Sequence, residues 1–150
     1  MQIPFYPKED PKGLDCAPVC LRMALEYFDI YKSMDEIYEL VGSLRDKHYT
    51  LPWGMCIGTS SVGLSATFIS RNPNGLTDSS YKDIARETKL AVNEISQIVL
   101  EQLEECKRLP NISLIPWEDR FKELPEKLFL RQLVLLFLQF GGEYNHIISF

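Results

Sequence analysis

A chain of 150 residues, 45% of them hydrophobic, is long enough to bury a core of its own as one domain. Its net charge of −5, from 21 acidic against 16 basic residues with no basic cluster, argues against a nucleic-acid partner, because a phosphate-binding surface needs clustered Lys and Arg. Four cysteines without a dense, regular spacing, and an N-terminus (MQIPFYPKED) without the basic and apolar regions of a signal peptide, predict free thiols in a cytoplasmic protein.

In chain order, residues 1–15 hold Pro4, Pro7, Pro11 and Gly13 and read as an extended lead-in ending in a turn. Leu21, Ala24, Leu25 and Phe28 then recur at helical spacing, which predicts a first helix from about Pro18 to Phe28. Pro18 suits its first turn, where a missing N–H has no intrahelical partner to lose. Ser33 and Glu36 form a capping box that opens a second helix through about Leu44, with Ile37, Leu40 and Val41 on one face. The segment HYTLPWGMCIG, 48–58, is punctuated by Pro and Gly and reads as a loop. Thr59 or Ser60 reads as the cap of a third helix through about Phe68, and RNPNG as the turn after it. The stretch GTSSVG, 58–63, lacks the spacing of a phosphate-binding loop.

Residues 79–107 carry the strongest helical pattern. Ile84, Ala91, Ile95, Ile98, Val99, Leu103 and Cys106 fall on one stripe, which predicts a single long helix packed on the domain or offered to a second copy as a homo-oligomer contact. ISLIP, 112–116, and LVLLFLQF, 133–140, read as strands, the second apolar on both faces and therefore central. HIISF, 146–150, follows the Gly141-Gly142 turn as the second strand of an antiparallel hairpin. The most apolar run, LFLRQLVLLFLQF at 128–140, is interrupted by Arg131 and Gln132 and is too short to cross a bilayer, so no membrane insertion is expected. Helices early and strands late argue for an α+β fold with N-terminal helices packed on a C-terminal antiparallel sheet.

The chemistry rests on Cys16. At a helix N-terminus, free backbone N–H groups and the positive end of the helix dipole stabilise an anion, so a thiolate there has a lowered pKa. The competing reading is a small core hydrophobe, since cysteine packs well and most buried thiols are inert. A thiol nucleophile needs an imidazole partner, and the chain has two histidines. His48 follows the charged segment SLRDK and reads as a solvated helix-end residue. His146 opens the last strand, where it is either a strand-edge residue bonded to a neighbour or the imidazole that meets a thiolate across a cleft. Cys16 and Cys20 form a C-x₃-C pair without a matching second pair, so neither zinc nor another metal or cofactor is expected.

IPFYPKEDPKGLDCAPVCLRMALEYF, 3–28, resembles the opening of the bacteriocin-processing (double-glycine leader) cysteine peptidases of the papain-like superfamily. GTSSVGLSATFI, 58–69, is similar to a helix of that family, and LVLLFLQFGGEYNHIISF, 133–150, to its paired strands with the catalytic His leading the second. The resemblance covers about half of the chain. It implies a papain-like fold over residues 1–150, with Cys16 as nucleophile, His146 as its base and acid partner, and a peptide or protein as substrate. Four departures accompany it, the mildest being Ala17 where the family has Gly after the Cys. Asp10 stands where the family has a Gln that donates to the oxyanion, and an ionised carboxylate cannot donate. The chain stops four residues beyond His146, before the Asp or Asn that orients the family's His, so either the chain is truncated or that member is absent. The segment at about 79–107 is longer than the family needs and reads as an inserted helix. These departures keep a second reading open, a non-catalytic member of the same fold that binds a peptide in its cleft. A third reading, a helical interaction module, depends on the 79–107 stripe being exposed.

Overall fold

The computed structural model describes residues 16–44, 49–70, 72–116, 135–140 and 144–149, with backbone alone for residue 16 and for 135–140 and 144–149. The architecture is α+β. In chain order the elements are α1 (Cys16–Tyr27), α2 (Met34–Val41), α3 (Pro52–Ser61), β1 (Ala66–Ser70), α4 (Asp78–Thr88), α5 (Val92–Arg108), β2 (Ile112–Pro116), β3 (Leu135–Phe140) and β4 (Tyr144–Ser149).

The first two helices follow their local signals. Leu21 and Leu25, one turn apart on α1, are almost wholly buried beside Ala17. The chain leaves α1 through Asp29 at φ 60°, and the Ile30 N–H reaches back to the Leu25 carbonyl at 2.9 Å. At the head of α2 the capping box is complete. The Glu36 N–H donates to Ser33 Oγ at 3.3 Å and the Ser33 N–H donates to Glu36 Oε2 at 2.8 Å. The Lys32 ammonium, foremost, and then the Ser33 backbone and hydroxyl hold the Glu36 carboxyl down at about 2. A depressed carboxylate pKa supports the cap fully above the ordinary glutamate range and ceases to as pH falls toward that lowered value. Ser33→Ala is expected to cost about 1 kcal/mol at neutral pH, the usual loss for an N-cap hydroxyl, read from urea denaturation. Helix α2 ends at Val41 rather than near Leu44, because Gly42 takes the left-handed conformation at φ 57° and Ser43 N–H closes back on the Tyr38 carbonyl.

The region 48–68 departs from the sequence expectation. Residues 52–61 are helix rather than loop, with Pro52 in the first turn. Thr59 and Ser60, the expected caps of a third helix, lie in the last turn of this one instead. Thr59 Oγ1 donates to the Met55 carbonyl and Ser61 Oγ to the Gly58 carbonyl, each at 2.8 Å. Gly63, at φ 85°, then turns the chain into β1. Thr67, Phe68 and Ile69 give that segment the β-branched and aromatic content of a strand.

The glycines that suggested a loop serve helix packing. A Cβ on Gly54 would fall on the Val41 carbonyl oxygen, and one on Gly58 would come within 3.1 Å of Val41 Cγ1 and 3.2 Å of the Leu40 carbonyl oxygen. The face of α3 bearing Gly54 and Gly58 therefore lies directly against the C-terminal backbone of α2, an approach open to residues without a side chain. Through this contact α3 reaches two apolar clusters. Met55 joins Ala17, Leu21, Leu25, Ile37 and Val41 on the α1–α2 side. Trp53 and Cys56 join Leu51, Ile84, Ile95, Val99 and Leu103 on the other. Trp53 is buried, donates from Nε1 to the Pro73 carbonyl at 2.9 Å and meets Phe68 edge-on.

The pattern at 79–107 yields two helices. Thr88 Oγ1 donates to the Ile84 carbonyl at 2.8 Å and accepts from the Leu90 N–H at 3.3 Å. Lys89 adopts φ 60° as the C-cap of α4, and the Ala91 N–H donates to Glu94 Oε2 at 2.7 Å to start α5. Of the expected stripe, Ile95, Val99, Leu103 and Cys106 on α5 are buried in the chain's own core with Ile84 of α4, while Ala91 is exposed at the junction. Most of the stripe therefore packs on the chain's own core, with Ile98 partly buried at its rim, and the helical-module reading, which needs the stripe exposed, is not supported.

The strands also depart from a single C-terminal antiparallel sheet. Residues Ile112–Pro116 pair in parallel with Ala66–Ser70, in register Ala66 with Ile112 through Ser70 with Pro116. The helical pair α4–α5 connects the end of β1 to the start of β2 and returns the chain in the same direction, which is the connection a parallel pair requires. Asn111 pins the start of this unit. Its Nδ2 donates to the Leu64 carbonyl at 2.7 Å, its Oδ1 accepts from Ser60 Oγ at 2.7 Å, and its own carbonyl accepts from the Ala66 N–H at 2.9 Å. Strands β3 and β4 form a separate antiparallel ladder.

Candidate active site

The candidate nucleophile opens a helix, and the candidate imidazole lies in a strand against that helix. Helix α1 begins at Cys16 and has no acidic side chain in its first turn to neutralise the positive helix end. Pro18, in that turn, is almost wholly buried. Helix α1 packs against β4, in whose ladder His146 stands opposite Leu138 of β3, and Asn145 opposite Gln139. The fold thus brings together the elements that carry Cys16 and His146, although they lie at opposite ends of the sequence. The side chains of both, and the whole of Asp10 and His48, lie outside the described residues.

The remaining thiols have environments of a different kind. Cys56 on α3 and Cys106 on α5 are buried in the cluster around Trp53, and Cys106 Sγ points to the Trp53 carbonyl at 3.5 Å. Burial, reinforced by the neighbouring Cys106, pushes the Cys56 thiol up to about 12. Burial, reinforced by Glu105, pushes Cys106 up to about 11. Both stay protonated at neutral pH, and a protonated, enclosed thiol is a poor nucleophile. Cys20, one turn along α1 from Cys16, is partly buried.

Local reading misses that Cys56 belongs to the core, because its surroundings read as a loop. The signal that could have found it is the run Trp53, Met55, Cys56 and Ile57, too apolar for an exposed connection. Among the described residues no three His, Cys, Asp or Glu side chains are grouped so as to hold a metal ion. No helix among them is long and apolar enough to cross a membrane. No protein-family model, curated protein or solved structure matches the chain.

Proposed function

We propose that the chain is a cysteine peptidase or amidase of the papain-like kind, akin to the double-glycine leader peptidases, with Cys16 as nucleophile and His146 as its acid–base partner. The observation that carries this reading is the packing of the helix headed by Cys16 against the strand that contains His146.

In this mechanism the Cys16 thiolate attacks a peptide or amide carbonyl and forms a carbon–sulfur bond, and the negative charge moves to the carbonyl oxygen. The Cys16 N–H, at the start of α1 where helix N–H groups have no intrahelical partner, is the donor proposed for that oxyanion. Collapse of the intermediate breaks the carbon–nitrogen bond, and the His146 imidazolium gives its proton to the leaving amine. The neutral imidazole then takes a proton from water as it attacks the thioester, and collapse releases a carboxylic acid and restores the thiolate beside the imidazolium.

Asp10 favours the second reading, a peptide-binding member of the same fold, because an ionised carboxylate cannot supply the other oxyanion donor. A peptidyl epoxide separates the two. Incubated with the full chain and followed by peptide mapping, it is expected to alkylate Cys16 and leave Cys56 and Cys106 untouched. His146→Gln should slow that reaction by about 10²-fold or more, the usual scale of an acid–base partner. Reversible binding of the peptide with no covalent adduct would support the binding reading instead, and alkylation at Cys56 or Cys106 in the folded chain would contradict both assignments.

A further inference from the structure

We draw no further inference here: the strongest candidate, the cluster of Thr77, Ser79 and Ser80 hydroxyls at the N-terminus of α4 beyond the turn that follows β1, is a helix end whose hydroxyls bond one another, and nothing else among the described residues points to a ligand there.

Discussion

Replacing Gly54 by alanine should cost the protein more than about 2 kcal/mol, even though alanine is the better helix former by about 1 kcal/mol. The new methyl would fall on the carbonyl oxygen of Val41, a backbone atom that cannot rotate away. Relief requires moving α2 off α3, which opens the cluster of Leu21, Leu25, Ile37, Val41 and Met55 that those helices help enclose. Gly58→Ala is the matched comparison. Its methyl would press on Val41 Cγ1 at 3.1 Å and the Leu40 carbonyl at 3.2 Å, contacts that a shift of a few tenths of an ångström relieves. Urea denaturation should place Gly54→Ala well below both wild type and Gly58→Ala. A Gly54→Ala protein as stable as wild type would mean that α2 and α3 do not approach as described.

Ile95→Asp should abolish the folded state. Ile95 has no exposed surface and sits among Val99, Leu103, Cys106 and Ile84. Removing the apolar side chain alone costs about 2–5 kcal/mol. Burying a carboxylate without a partner adds several more, a sum comparable with the whole stability of a small protein. Ile98→Asp, at a partly buried position on the rim of the same cluster, should be milder because the carboxylate can turn toward water. Circular dichroism and urea titration of the two variants distinguish a core stripe from an exposed one. Equal and small effects at both positions would contradict the burial of α5.

These substitutions also mark where the sequence was legible. Ser33 and Glu36 announced the head of α2 because a capping box is complete within four residues and needs nothing from the rest of the chain. The stripe of α5 was equally plain, since Ile95, Val99, Leu103 and Cys106 repeat at helical spacing. Gly54 and Gly58 were misleading for the opposite reason. Their role is set by the backbone of α2, a partner distant enough in sequence that local reading took the glycines for loop punctuation. Thr59 misleads similarly, because a Thr hydroxyl can bond backward to a finishing helix as well as forward to a starting one. The break between α4 and α5 carries neither Gly nor Pro. It depends on Lys89 at φ 60° and on the Thr88 hydroxyl, neither of which is a standard breaker.

The parallel pairing of β1 with β2 is not legible locally, because the helical reading of 59–68 leaves ISLIP without a partner strand. At the candidate site, the placement of Cys16 at the head of α1 could be read from Pro18 and the apolar spacing that follows it. The meeting of α1 with β4 could not be read locally. It is a contact between the two ends of the chain, and only the resemblance to a peptidase family suggested it.

The pairing of Cys16 with His146 is tested by the pH dependence of Cys16 alkylation with iodoacetamide, followed by peptide mapping in the full chain and in His146→Gln. An ion pair stabilises the thiolate, so Cys16 should react at an undiminished rate well below the ordinary cysteine pKa of about 8.5. Loss of the imidazolium should move the half-point upward toward that value, while Cys56 and Cys106, pushed up to about 12 and about 11, stay unlabelled until the protein is unfolded. The contradicting result is a Cys16 profile centred near the ordinary value and unchanged by His146→Gln, which would leave the thiol at the head of α1 without the partner that the proposed chemistry requires.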